Sequence, residues 1–260
     1  MKNLLLLPAL LLSLPLFAQF QSNTPVSYTI GFGGTSEMYS NMSIDFMKDV
    51  AQSNEAFGVT TAGYEYNPSA FLAGTMIEAS VSFIVKGNTA GPSQQIRFNA
   101  RYTTDRESMV NYYYESEIDD VVLRDDLIFC LVDDEFGLGA DYLWRQEGRI
   151  FAGYAGFGIG AGTTFNSDLL RIRGTREVPA GQDDLQVTTD LDVTDNFDAK
   201  SSAFWRFQIP IGLEVRPMPH LALGMEYRIG TGGQQVYGGN YYGLDCADAF
   251  TLRLSYLAGR

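Results

Sequence analysis

Nine ionisable residues of both signs recur at alternating positions in this chain: Glu78, Arg97, Arg101, Asp141, Arg206, Glu214, Glu226, Arg228 and Arg253. Lys86 and Arg145 share the pattern. In an extended chain every second side chain faces the same way, so these charges line one face and their neighbours the other. Two chemistries follow for ions on an enclosed face. They can pair with one another and fill the space. They can instead line a polar passage, where an excess of arginine (Arg97, Arg101, Arg206, Arg228, Arg253) would favour small anionic solutes.

Other reactive groups are sparse. His220 is the single histidine and sits in a turn beside Pro217 and Pro219. No residues form a catalytic constellation and nothing points to a cofactor, so a non-enzymatic role is expected. Acidic residues gather in two stretches. One holds Glu117, Asp119, Asp120, Asp125, Asp126, Asp133, Asp134 and Glu135; the other holds Asp183, Asp184, Asp190, Asp192, Asp195 and Asp198. Carboxylate oxygens suit calcium or magnesium, yet Asp190 to Asp195 lacks the glycine and closing glutamate of an EF-hand loop. A solvated acidic surface is the plain reading, and no protein metal site is assigned. Bridging through divalent cations to an anionic lipid is the alternative.

The elements that must position these residues are strands. From Ala203 to Gly230, Trp205, Phe207, Ile209, Ile211, Leu213 and Val215 alternate with polar or small residues. After Pro217–His220, Leu221, Leu223, Met225, Tyr227 and Ile229 do the same. Each apolar face is long enough for the roughly 9–11 residues that a tilted strand needs to cross a bilayer. Similar strands are expected over 26–33, 71–86, 95–103, 109–115, 136–144, 150–165 and 250–256, with a weaker one over 57–66. A short helix is expected over 43–53, with Ile44, Phe46, Met47 and Val50 on one side.

Connections are expected to alternate between short turns near Asn67-Pro68, Asp105-Arg106, 146–148 and 217–220 and longer loops near 35–55, 87–93, 116–135, 166–202 and 232–248. The fold expected is an all-β, antiparallel, up-and-down transmembrane barrel of about ten strands, or eight if the weaker strands merge. Glycine on the polar face (Gly156, Gly158, Gly160, Gly212, Gly224) suits a crowded barrel interior better than a face open to water. A soluble periplasmic β-sheet binding protein is the competing architecture.

Met1-Lys2-Asn3 followed by the apolar run Leu4–Phe17 and Ala18 reads as a secretory signal peptide over 1–18, leaving 19–260 for one barrel domain. The formal net charge of −13 argues against a nucleic-acid partner. Cys130 and Cys246 are an even pair in an exported chain, which permits one disulfide between loops on the same side.

With the leader, the repeated hairpins and the Gly/aromatic strand Phe151-Ala152-Gly153-Tyr154-Ala155-Gly156-Phe157-Gly158, the chain resembles the small outer-membrane β-barrels grouped as OmpA-like transmembrane domains, OmpX-like proteins and opacity-type porins. The resemblance implies location in a cell outer membrane, among its lipids and lipopolysaccharide. It also implies a structural or surface-interaction role with a filled lumen, or a narrow porin for small solutes. Enzymatic barrels place a catalytic histidine near the outer rim, whereas His220 falls at the opposite end. Such barrels often close on an aromatic residue; here Leu257-Ala258-Gly259-Arg260 follow Tyr256.

Overall fold

A computed structural model of the chain describes residues 26–39, 44–58, 63–67, 71–87, 92–118, 121–179 and 190–258. The leader expected over 1–18 lies outside these described residues, as do Asp119, Asp120, Asp183 and Asp184. Among the described residues the strands are β1 Val26–Met38, β2 Glu65–Asn67, β3 Phe71–Gly87, β4 Pro92–Ile118, β5 Val121–Glu147, β6 Phe151–Pro179, β7 Asp190–Asp198, β8 Ser202–Met218, β9 Leu221–Val236 and β10 Tyr241–Ala258.

Eight of them close a ring in the order β1, β3, β4, β5, β6, β8, β9, β10 and back to β1, every pair antiparallel. Closure satisfies the backbone of every ring strand and leaves no barrel edge. The smaller of the two expected strand counts is therefore the observed one. β2 and β7 stand off the ring, on the far ends of β4 and β6.

Along β8 the burial alternates without a break from Ser202 to Val215. Phe204, Arg206, Gln208 and Glu214 are buried; Trp205, Phe207, Ile209, Ile211, Leu213 and Val215 are exposed. The same inversion holds on β9 (Leu223, Met225, Tyr227, Ile229 outside) and on β10 (Phe250, Leu252, Leu254, Tyr256 outside). A protein that buries arginine and glutamate while exposing an unbroken apolar belt has hydrocarbon for a solvent, since a monomer in water does not expose such a surface. No described helix is long and apolar enough to cross a membrane; the crossing is made by strands.

The two ends of the barrel differ. Val26, Ala258, the β3–β4 connection, residues 148–150 and residues 219–220 share one end, here called the terminal end. At the other, extension end, β4 and β5 run 27 residues each and β6 runs 29. These are far longer than the roughly 9–11 residues a crossing needs, so the three strands continue beyond the belt as a projecting sheet.

Several expected connections are corrected by this continuity. Asp105-Arg106 is no turn but a bulge inside β4, and 116–118 and 121–135 are no loop but the ends of β4 and β5. The segment around 87–93 lies at the terminal end, and Asn67 lies at the extension end beside Asn111. Of the strand expected over 57–66, the described residues place Glu65 and Tyr66 in β2 and Phe57 in a short 3-10 helix, Asn54–Phe57.

The bulges explain the misreading. Asp105 in β4 and Asn166 in β6 both have φ of 49°, and the register slips beside each. An extra residue flips the facing of everything after it. Buried residues of β4 are therefore Arg97, Asn99, Arg101 and Thr103 before the bulge, then Arg106, Ser108 and Val110 after it. A broken alternation reads as a turn when only the sequence is seen.

The expected helix is present as α1, Ile44–Val50, with Phe46, Met47 and Val50 buried. It packs with Leu72, Val110, Tyr112, Leu127, Phe129, Leu131, Leu169, Val236, Tyr242 and Leu244 into an apolar core at the extension end. Phe46 meets Tyr242 edge-on at 4.8 Å between ring centres. This cap is the only large apolar core among the described residues.

Candidate functional site: an ion-filled lumen

All nine charges singled out from the sequence lie buried inside the barrel. Glu226 on β9 is the centre of a middle layer and is wholly buried. Arg97 from β4 reaches it at 2.5 Å, Arg228 at 2.6 Å and Arg253 at 3.0 Å, and the Tyr154 hydroxyl donates to it at 2.6 Å. Glu78 on β3 accepts Arg228 at 3.0 Å and Arg253 at 2.9 Å, with Arg101 at 3.6 Å. Asp141 closes the layer on Arg97 at 2.7 Å and accepts Asn99 at 3.1 Å.

Toward the extension end, Arg106 binds Asp133 at 2.7 Å, Glu135 at 2.7 Å and Glu37 at 3.2 Å, and Arg206 pairs with the same Glu135 and Glu37. Toward the terminal end, Arg145 pairs with Glu214 and, at 2.9 Å, with Glu147, which also holds Arg216 at 2.8 Å. Six members of these outer layers were missed from the sequence: Glu37, Arg106, Asp133, Glu135, Glu147 and Arg216. Five of them fall where turns and loops are expected, and Arg216 falls on the polar face of the Ala203–Gly230 hairpin. For Arg106 the available signal is the resumption of alternation one residue out of step after Thr104.

Counting the missed residues changes the electrostatics. Eight arginines (97, 101, 106, 145, 206, 216, 228, 253) face eight carboxylates (37, 78, 133, 135, 141, 147, 214, 226). The expected excess of arginine is cancelled. Charges taken out of water must be paired or they unfold the structure; each layer here pairs its arginines with carboxylates, Arg101 the most loosely, at 3.6 Å from Glu78 and bonded to Gln208 at 3.1 Å.

The remaining space is small. The void among Asn99, Arg101, Glu135, Asp141, Arg206 and Arg228 is about 20 Å³, and that near Ser82, Gln95, Arg145 and Glu214 is about 30 Å³. Each holds about one water. Glycines are used where large side chains need room: a Cβ at Gly212 would overlap the Tyr154 ring, and one at Gly158 would overlap Asp141.

Lys86 departs from its expected facing. A register slip between Ile84 and Lys86 turns it to the outer surface, where it is exposed. Cys130 on β5 and Cys246 on β10 are free thiols on strands at opposite sides of the ring, so the expected disulfide is not formed. His220 lies exposed in the β8–β9 turn at the terminal end, 3.3 Å from the Leu257 carbonyl. Among the described residues no three of His, Cys, Asp or Glu come together as metal ligands would.

The cap is tied down over the lumen. Asp49 on α1 accepts from the Asn240 backbone at 3.0 Å, the Asn240 side chain at 2.7 Å and the Tyr242 hydroxyl at 2.5 Å. Partial burial opposes ionisation of Asp49, but these donors outweigh it and hold its pKa below the ordinary carboxylate value. Burial and the same contact push the Tyr242 phenol upward. Behind α1, Lys200 donates its backbone N–H to Val50 at 2.6 Å and its ammonium to the Asp49 carbonyl at 2.9 Å.

No protein-family model and no curated protein matches the chain. Among solved structures, neisserial surface protein A is 9% identical over 89% of this chain and 96% of its own, with a TM-score of 0.35. The attachment invasion locus protein of Yersinia pestis is 10% identical over 90% and 99%, with a TM-score of 0.34. The fold assignment rests on the chain's own strand pairing.

Proposed function

We propose that this chain is an outer-membrane barrel with a closed lumen, exported by a leader over 1–18, whose working part is the sheet and cap at its extension end. One observation carries the reading: the lumen is filled by a charge-balanced arginine–carboxylate network and roofed by an apolar core. Neither layer offers a path to a hydrated ion. A surface-interaction role then falls to the projecting ends of β4, β5 and β6, with β2, β7 and α1. Exposed charge there is mostly acidic (Asp45, Glu55, Glu107, Glu115, Asp198, Asp245). Contact with anionic lipopolysaccharide would accordingly run through divalent cations.

The deciding experiment is conductance in a planar bilayer, using protein whose folding is verified by a gel shift between unheated and boiled samples. A silent bilayer is the expected result. Discrete channel steps from shifted protein would replace this reading by the narrow porin.

A further inference from the structure

We propose that the outer wall of the barrel carries a seat for one anionic phospholipid at the terminal end. The inference goes beyond the closed-lumen reading but rests on the barrel spanning a membrane. A groove of about 610 Å³ opens there across β3, β4, β5 and β6. Register places Lys86, Gln94, Trp144 and Ala155 in one row, each paired with the next on the neighbouring strand. The row is unlike the rest of the belt, because two of its four members are polar and one is small.

Each part of the groove matches a part of a phospholipid. Lys86 supplies an ammonium, and no ion pair of Lys86 occurs among the described residues. The Tyr142 hydroxyl donates to Gln94 Oε1 at 2.7 Å, which leaves the Gln94 amide N–H groups to donate outward. A phosphate accepts from both. Trp144 forms the apolar wall, fixed by Tyr142 at 5.2 Å and Phe157 at 5.7 Å between ring centres. Gly153 and Ala155 make a low floor on which an acyl chain can lie.

Charge complementarity selects the headgroup. The exposed formal charges described at this end, Lys86 and Arg149, are both cationic, while the carboxylates Glu147 and Glu214 at the same end are buried and already paired with arginine. A zwitterionic lipid would bring a second cation to this rim. An anionic one would not.

The test is native mass spectrometry of the full chain released from nanodiscs containing equal phosphatidylglycerol and phosphatidylcholine, with the heat-dependent gel shift verifying the fold. The expected result is preferential retention of one phosphatidylglycerol. Lys86→Gln should reduce that preference about fivefold, the effect of one surface cation. Gly153→Leu should remove retention of either lipid by filling the floor; a Cβ there meets only ordinary contacts, the nearest being Leu213 at 3.4 Å, so the barrel should still fold. Equal retention of both lipids by the wild type, or an unchanged preference in both variants, would overturn the proposal. Loss of the gel shift in the wild type would instead reject the membrane barrel itself, and the seat with it.

Discussion

Arg97 and Glu226 stand on strands four places apart in an eight-membered ring, on opposite walls, and their side chains meet at 2.5 Å across the middle of the lumen. The contact spans the full interior. It explains why the barrel is narrow and why it is closed.

Removing the charge on one side of that contact should be expensive. Glu226→Gln leaves Arg97, Arg228 and Arg253 short of their shared carboxylate, and breaking a buried pair costs about 3–5 kcal/mol. The urea midpoint of the folded band should fall sharply. An unchanged midpoint would mean that water already reaches the middle layer.

Asp134 on β5 ties down both bulges beside it. It lies 3.3 Å from the Asp105 backbone N–H on β4 and 2.9 Å from the Asn166 amide on β6, and it also accepts from Tyr102 at 3.0 Å. Asp134→Ala should cost about 1 kcal/mol through the hydrogen bonds lost. Asn166→Gly should be tolerated and Asn166→Val should not, because a β-branched residue does not accept φ near 49°. Thermal melts of the three variants would check the order.

The outward belt predicts a one-sided response to charge. Ile209, opposite Ile229 on β9, faces outward in mid-strand. Ile209→Arg should lower stability by about 2–4 kcal/mol, the cost near a bilayer midplane. Refolding yield into lipid vesicles against wild type would measure it.

The clasp at Asp49 should weaken in acid. A carboxyl whose folded pKa is depressed contributes stability above its unfolded pKa, and that contribution is lost as pH falls through the folded value. Hydrogen exchange in α1 should therefore quicken at low pH, below the ordinary carboxylate range. In Asp49→Asn that acceleration should be absent.

Cys130 and Cys246 should both take an alkylating reagent after denaturation without any reductant. Mass spectrometry showing two adducts would confirm free thiols. Zero adducts would mean that the two walls are bridged after all.

Much of this barrel was legible because its chemistry repeats every two residues. The facing of β8 and β9 was legible from Ala203 to Gly230, since each outward position is apolar and each inward one polar or small, although β9 continues to Val236, into residues expected as a loop. The helix over Ile44–Val50 was legible for a similar reason, a different period over a short span. Legibility failed at Thr104–Asp105 and at Ile84–Lys86, where one inserted residue inverted the pattern. The first slip split β4 in two and hid Arg106; the second sent Lys86 to the wrong face.

Sequence alone thus determined the class of structure, because solvent preference is local: each side chain states whether it belongs in hydrocarbon or in a crowded polar interior. It also supplied most of the lumen charges. Only the tertiary structure decided how many strands close the ring and which carboxylate neutralises which arginine. It likewise decided that Cys130 and Cys246 stand on opposite walls of the ring rather than in neighbouring loops. Those outcomes depend on register between strands more than two hundred residues apart, as Thr29 and Ser255 are when their hydroxyls meet at 2.8 Å. No local pattern encodes a distance of that kind, and a single bulge is enough to change it.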